Sequence, residues 1–382
     1  VRTYYAKLRN QADLLSQRGL QRRFFRRQVR HARTRRDHFP AFLSGRTRPN
    51  YWLSVGVLKR PDPSSPPLEV GQDGFYKVAF KAMGTACDVL YESTSTEHAE
   101  RVRDEVVSWV RFFENRYSRY LPNSFISEVN AAAGIRPVSL LPEDERLLNL
   151  CRGLHFMTKG LFDPTTLPLS LIWDFRKKNP RIPDKAEISR ALSLVGWSKV
   201  ELGEKEVFLP AEGMGLDFGG FGKEYAVDRV LEIVRSMGVR NAMVNFGGDV
   251  ALSGRPSDAA HWRIGVENPK KPGQPDFALS VTERGVATSG TYMRFFEMNG
   301  KRYSHLIDHR TGYPVSGKVF MATAIASTCL EAGALSTCSL IGEREEGLSL
   351  LENFFGAEGC LRTERALYWT RNFDKYLIHN ES

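Results

Sequence analysis

The sequence has few cysteines and no long apolar run. Its five cysteines are widely spread and include no C-x-x-C pair, so neither a zinc site nor a dithiol redox motif is indicated. No stretch approaches ~18 uninterrupted apolar residues, so no transmembrane helix is predicted. We expect the cysteines to be buried as small apolar side chains: Cys87, Cys151, Cys329, Cys338 and Cys360.

Acidic residues are scarce at the start of the chain. Residues 1–60 hold 16 Lys or Arg against two Asp, a formal charge of +14, so the remaining residues carry −4 of the total +10. The basic character therefore belongs to one segment and says little about what the rest of the chain binds. With 42% apolar and 26% charged residues over 382 positions, the chain can bury a large core.

The first 45 residues form a distinct arginine-rich segment. Apolar residues recur among its arginines with little Gly or Pro, which predicts a basic helical extension. Such a helix suits an acidic protein surface or an anionic membrane. Nucleic acid is a less favoured partner, because Phe24 and Phe25 interleave with arginines but no nucleic-acid motif is present.

The remaining chain divides into a linker and one domain. Residues 46–75 contain RPDPSSPPLEVGQDG, whose Pro, Ser and Gly content predicts an extended linker. In residues 76–382 the predicted strands cluster between helices, which favours an α+β fold over regular βαβ winding. The pattern predicts a strand pair and then a long helix at the start of the domain. Further periodicity predicts helices near 143–158, 223–237 and 330–341, and strands near 199–208, 242–253, 261–267 and 278–288.

The sharpest local pattern is a glycine-rich turn before a helix. In GLDFGGFGKEYAVDR, a short apolar run ends in paired glycines, and Lys223 follows in the first helical turn. Glycines let a backbone approach a ligand closely, and the helix start offers unpaired N–H groups, so the pattern suits a diphosphate. It is neither a Walker A loop nor G-x-G-x-x-G, and taken alone it also fits a simple tight turn.

Other small-residue turns occur in the same domain. They are VNFGGD at 244–249, ATSGTYMR at 287–294 and YSHLIDHRTGYPV at 303–315. Several such turns with polar side chains suggest a bound nucleotide or polyphosphate. Taken singly, His305 also fits a structural histidine, and Asp308 beside Arg310 fits a local ion pair.

Eight segments in unbroken order resemble the serial motifs of the ApbE-type FAD:protein FMN transferases. They lie between residues 82 and 338: AMGT (82–85), ENRYSRYLPNSFISEVN (114–130), GLFDPTTLPLSLIWDF (160–175), LDFGGFGKEYAVDR (216–229), VNFGGD, ATSGTYMR, SHLIDHRTGYPV (304–315) and EAGALSTC (331–338). The resemblance implies an ApbE-like α+β domain that binds FAD. It also implies transfer of FMN from FAD onto a Ser or Thr hydroxyl of an acceptor protein, with release of AMP.

The resemblance also implies roles for individual residues. His305 would be the base or phosphate contact, with Asp308 and Thr311 shaping its loop. Mg²⁺ would be held by Thr337 and by a carbonyl near Gly222. The implied flavin-site residues are Met83, Tyr117, Ser118, Asp163, Thr165, Gly220, Lys223, Asp228, Ser289, Gly290, Tyr292 and His305.

The chain departs from the family pattern at three positions. Gly333 stands where the family usually has an Asp that ligates the metal, Glu224 where Gly is frequent, and His309 where Pro is frequent. Two hypotheses therefore stay open for the domain: an active FMN transferase, or a catalytically retired subunit with a structural or flavin-binding role in a larger complex, such as a membrane complex. We expect membrane association. The family implies a periplasmic location, whereas the arginine-dense start resists export and keeps the cytoplasmic face open.

Overall fold

The computed structural model describes residues 65–71, 74–177 and 179–379. The predicted extension at 1–45 and most of the predicted linker lie outside these residues. Within them, no helix is long and apolar enough to cross a membrane. The helices are α1 Thr96–Tyr117, α2 Phe125–Ala131, α3 Pro142–Met157, α4 Leu167–Trp173, α5 Lys185–Ser193, α6 Gly222–Ser236, α7 Cys329–Ile341 and α8 Glu343–Asn353.

One antiparallel sheet organises the domain. In the described part of the chain it has nine strands, in the order β1, β2, β3, β7, β8, β11, β16, β17, β18. The strands are β1 Leu68–Val70, β2 Phe75–Ala82, β3 Thr85–Glu92, β4 Val138–Ser139, β5 Glu201–Leu202, β6 Glu206–Phe208, β7 Ala242–Phe246, β8 Asp249–Ser253, β9 Trp262–Asn268, β10 Lys271–Val281, β11 Gly285–Gly290, β12 Phe295–Met298, β13 Lys301–Ser304, β14 Ile307–Asp308, β15 Tyr313–Pro314, β16 Val319–Ala326, β17 Glu358–Thr363 and β18 Leu367–Trp369.

The sheet is covered on both faces. On one face, α7 packs on β11 and β16, and α6 packs on β7 and β8. On the other face, the β9–β10 hairpin contributes Trp262, Ile264 and Leu279 to a buried cluster with Met321 and Ile325 of β16. The central strands β8 and β16 are therefore buried almost throughout, as a two-sided core requires.

The spacing of its apolar residues explains why α6 is an amphipathic helix. Val227, Val230, Leu231 and Val234 recur at three- and four-residue intervals and are buried on the sheet side. Burying each such side chain stabilises the fold by roughly 1.5–3 kcal/mol. The helix ends before Gly238, whose φ of +91° lies in the left-handed region that favours glycine.

Helix α7 is buried along nearly its whole length. Its N-cap is Thr328, whose side chain accepts a hydrogen bond from the Glu331 N–H, and its Ala, Gly and Ser residues allow close packing on α6 and the sheet. Among α7 residues, Thr337 keeps a partly exposed side chain. That residue therefore marks the point at which α7 meets open space.

The observed elements confirm the α+β expectation and refine its details. The helices predicted near 143–158, 223–237 and 330–341 are α3, α6 and α7. The predicted strand near 242–253 is the hairpin β7–β8, turned by Gly247 and Gly248 with positive φ. The predicted strand near 278–288 was wrong, because β10 ends at Val281 and β11 starts at Gly285. Strand β1 lies inside the segment predicted as an extended linker. All five cysteines are free and buried, as expected.

Candidate active site

Asp228 joins the two helices that dominate the site. From the middle of α6, its carboxylate accepts hydrogen bonds from the backbone N–H groups of Cys329 at 2.7 Å and Leu330 at 2.8 Å. These are unpaired donors of the first turn of α7, so the contact fixes the start of α7 against α6. Burial raises the pKa of Asp228 to about 7. Asp228, predicted to bind flavin, thus supports the site from within the core.

Lys223 lies in the first turn of α6 between two carboxylates. Its ammonium group pairs with Asp249 Oδ2, and its Nζ lies 3.6 Å from Glu224 Oε1. Asp249 starts β8 directly after the Gly247–Gly248 turn and is buried. The three side chains carry a formal charge of −1, so the predicted phosphate-binding lysine already has two anionic partners.

Glu224 occupies the space beside Gly333. A Cβ atom at position 333 would lie 2.5 Å from Glu224 Cγ and 3.1 Å from Glu224 Oε1. Glu224 is only 8% exposed, and its Oε2 atom has no hydrogen-bond partner among the described residues. The Glu224 side chain of α6 therefore occupies the space that a side chain at position 333 of α7 would enter.

The end of β11 meets α7 through a cluster of hydroxyl groups. Ser289 Oγ lies 2.8 Å from Ser336 Oγ and 2.9 Å from Thr337 Oγ1. At the next residue, a Cβ on Gly290 would overlap the ring of Tyr292, which packs edge-on against Phe320. Ser289 and Gly290 thus end β11 beside Thr337, and Tyr292 follows just after the strand.

The β2–β3 turn lies beside the β7–β8 turn. Met83 has a positive φ of 51°, and its N–H donates to Glu114 Oε1 at 2.7 Å. A Cβ on Gly247 would overlap Thr85 Oγ1, so the second turn needs glycine both for its φ of +63° and for this approach. The two predicted ligand-binding turns are therefore adjacent.

Tyr117 and Ser118 lie at the C-terminal end of α1, where Tyr117 is buried and Ser118 is half-buried. Tyr117 is buried and donates to Asp144 Oδ1 at 2.6 Å, and burial raises the pKa of its hydroxyl well above the ordinary value. Ser118 is the C-cap of α1, where its N–H donates to the Glu114 carbonyl. Arg116 also pairs with Asp144. This group orders the segment that carries Glu114, the partner of the Met83 turn.

Asp163 and Thr165 organise the loop before α4. Asp163 Oδ1 accepts from Thr165 Oγ1 at 2.5 Å, and its Oδ2 accepts from the Trp197 N–H at 2.9 Å. Thr165 Oγ1 in turn accepts from the Gly196 N–H at 2.7 Å. Both predicted flavin-site residues have their polar atoms engaged within the protein.

His305 lies in the loop between β13 and β14. Its Nδ1 is 3.1 Å from the Arg294 carbonyl oxygen. Because a carbonyl only accepts, this contact requires the Nδ1–H tautomer and leaves Nε2 able to accept a proton. Burial lowers the pKa of His305 below its ordinary value of 6.5, which favours the neutral ring.

The rest of that loop is held by local bonds. Asp308 pairs with Arg310 at 3.0 Å, and its carbonyl oxygen accepts from Thr311 Oγ1 at 3.2 Å. His309 Nε2 lies 2.9 Å from the Gly160 carbonyl oxygen, a bond that Pro could not make. The loop is therefore attached to the 160–165 segment, which carries Asp163 and Thr165.

These contacts gather many of the predicted residues around the α6–α7 pair. Sequence reasoning missed the roles of Asp249 and Glu224, although each lies in or beside a recognised motif. In the described residues, no group of three or more His, Cys, Asp or Glu side chains could hold a metal ion. The predicted residues at the α6–α7 pair and the adjoining turns are Met83, Gly222, Lys223, Asp228, Ser289, Gly290, Tyr292 and Thr337, with Gly220 in the turn just before α6.

Comparison with known proteins identifies the class. The fold matches the ApbE protein of Thermotoga maritima with a TM-score of 0.74 and 28% identity, covering 80% of this chain and 100% of that one. It also matches the Pseudomonas stutzeri flavinyl transferase ApbE with a TM-score of 0.71 and 28% identity, covering 82% and 98% of the two chains. The sheet, its helices and the surrounding turns thus define a domain of the flavin transferase fold.

Sequence comparison agrees with the fold. Residues 83–361 match the ApbE family. A FAD:protein FMN transferase of Klebsiella pneumoniae is 31% identical over 248 residues, which are 64% of this chain and 76% of that protein. One of Treponema pallidum is 28% identical over 303 residues, or 74% and 83% of the two chains. The chain belongs to the ApbE family.

Proposed function

We propose that this protein is an FAD:protein FMN transferase. The observation that carries the proposal is the family match over residues 83–361, supported by the contacts that bring the glycine-rich turn, VNFGGD and ATSGTYMR to the α6–α7 pair. FAD is the flavin donor, and a Ser or Thr hydroxyl of another protein is the acceptor. The Gly219–Gly220 turn before α6 suits the diphosphate, because a Cβ on Gly220 would meet no atom within 4 Å.

The reaction breaks the phosphoanhydride bond of FAD and forms a phosphoester bond to the acceptor. The acceptor oxygen bonds to the FMN-side phosphorus of FAD, the bond from that phosphorus to the bridging oxygen breaks, and AMP leaves with the electron pair. The acceptor hydroxyl loses its proton, and the neutral His305 ring can take it at Nε2. Lys223 and the N–H groups of the first turn of α6 that follow Gly222 stabilise the charge on the phosphates, since the Gly222 N–H already donates to the Phe218 carbonyl.

A divalent cation, Mg²⁺ as the family resemblance implies, would act as a Lewis acid for the diphosphate. Hard cations require oxygen ligands, and the α6–α7 pair offers the Glu224 carboxylate, the Thr337 hydroxyl and a backbone carbonyl near Gly222. The unpartnered Oε2 atom of buried Glu224 is the observation that fits a cation here.

The proposal is tested with FAD, Mg²⁺ and a peptide bearing a flavinylation Thr. We expect the peptide to gain the mass of one FMN residue while AMP is released in equal amount. His305→Asn should retain FAD binding and lose transfer. Bound flavin without transfer by the unaltered protein would instead support a retired, flavin-binding subunit.

A further inference from the structure

We propose that Glu224 supplies the anionic ligand for a divalent cation at the α6–α7 pair, in place of a carboxylate on α7. The proposal deepens the function above and rests on it for the phosphate ligands of the same cation. It concerns a departure of this chain, since Glu224 and Gly333 are both unusual residues for their positions in the resemblance.

The first support is steric. With a Cβ at position 333 only 2.5 Å from Glu224 Cγ, an Asp at 333 would force the Glu224 side chain to move from its present position. Glycine at 333 therefore does more than remove a side chain, because it makes room for the longer carboxylate that α6 extends toward α7. The two departures are one structural change.

The second support is the state of the Glu224 carboxylate. It is nine-tenths buried, its Oε1 lies 3.6 Å from the shared Lys223, and its Oε2 lacks a hydrogen-bond partner among the described residues. A buried carboxylate oxygen without a partner is costly, and such groups in native proteins usually pair or coordinate a metal. Thr337 lies one helical turn beyond Gly333 on the same side of α7, and its hydroxyl oxygen, although hydrogen-bonded to Ser289 Oγ, keeps a lone pair for the same ion.

The third support is charge. Lys223, Glu224 and Asp249 together carry a formal −1, and the FAD diphosphate adds two further negative charges. Lys223 alone cannot balance both the side-chain carboxylates and the diphosphate, since Asp249 already pairs with it. A divalent cation between Glu224 and the diphosphate would offset the repulsion between these negative charges. Oxygen-rich sites for Mg²⁺ commonly combine one or two carboxylates with substrate phosphates.

The test measures metal binding directly on the full chain. Titration calorimetry with Mg²⁺, with and without FAD, and Mn²⁺ binding followed by electron paramagnetic resonance would be compared for the unaltered protein, Glu224→Gln and Glu232→Gln. Glu232 lies on the same helix and pairs with Arg146 and Arg229 at the surface, so it is a matched control. We expect Glu224→Gln to weaken metal binding at least tenfold and Glu232→Gln to leave it unchanged.

A charge-relocation variant separates a lost ligand from a damaged fold. Glu224→Gly alone should lose metal binding, and Glu224→Gly combined with Gly333→Asp should recover it, because the carboxylate returns from the α7 side. Unaltered metal affinity in Glu224→Gln, or failure of the double variant to recover it while its thermal unfolding stays native, would overturn the proposal.

The outcomes also separate this proposal from the proposed function. Flavin transfer that survives with unaltered metal affinity in Glu224→Gln would leave the transferase assignment standing and remove Glu224 as a ligand. Metal binding that depends on Glu224 in a protein that transfers no FMN would support the ligand and refute the transferase.

Discussion

The contact between Glu224 and Gly333 makes a specific prediction about stability. In an ordinary helix interior, Gly→Ala stabilises by about 1 kcal/mol, because glycine gives up more backbone entropy on folding. At Gly333 the added Cβ would lie 2.5 Å from Glu224 Cγ, and such overpacking costs about 1–3 kcal/mol. We therefore expect Gly333→Ala to lower the free energy of unfolding by about 1 kcal/mol, the difference between these two effects.

Removing Glu224 should reverse the sign. In a Glu224→Ala background the space beside position 333 is empty, so Gly333→Ala should raise the free energy of unfolding by about 1 kcal/mol. The double-mutant cycle then has a coupling energy of about 2 kcal/mol, within the ~0.5–3 kcal/mol seen for residues in contact. The assay is urea unfolding of the four proteins followed by circular dichroism, with unchanged m-values as the check that the same surface is exposed.

Gly347 provides the control for this cycle. It is a buried helical glycine at which a Cβ would lie 2.5 Å from the Ser339 carbonyl oxygen, a backbone atom far from Glu224 in sequence. Gly347→Ala should destabilise equally with and without Glu224. If Gly333→Ala behaves the same way in both backgrounds, Glu224 does not fill the space beside Gly333, and the reasoning about this pair fails.

Three further predictions follow from other parts of the structure. His305→Ala should reduce flavin transfer by about 10²–10⁴-fold, and transfer by the unaltered protein should fall only below pH 6.5 as His305 becomes protonated, measured by AMP release against pH. The free energy of unfolding should decrease as pH rises from about 4 to about 7. Native Asp228, with its pKa raised to about 7, holds a proton over this range that the unfolded chain releases. Urea unfolding at several pH values should show that Asp228→Asn flattens this dependence. Deleting residues 1–45 should abolish salt-sensitive cosedimentation with anionic vesicles, and equal retention by the truncated chain would contradict a membrane role for that segment.

The helices were predictable because their patterns are local. The apolar spacing of α6 and the capping threonine before α7 are both visible in the sequence, and both helices form where expected. The break between β10 and β11 was missed because Thr282, Glu283 and Arg284 interrupt an otherwise continuous apolar pattern only briefly. Glu283 adopts a positive φ of 53°, which no propensity for strand would suggest.

The surroundings of the site residues could not be predicted from motifs. Tyr117 and Asp228 lie in motifs that carry the family resemblance, yet Tyr117 is buried against Asp144 and Asp228 binds the start of α7. Asp249 pairs with Lys223 across more than 20 positions of sequence, which requires the β7–β8 turn to approach α6. Such partners depend on the packing of sheet against helix, which no local pattern encodes.

The departures at 224 and 333 show why single positions mislead. Judged alone, Gly333 is a lost ligand, and Glu224 is a bulky residue where glycine is frequent. In the structure, the carboxylate that position 333 lacks is present at Glu224 of α6, beside Gly333, and Asp228 fixes the two helices together. A glutamate suits this exchange better than an aspartate, because its extra methylene lets it extend from α6 to the surface of α7. The proposal made above for Glu224 therefore treats the two positions together, with the negative charge between the helices coming from α6 where position 333 has no side chain.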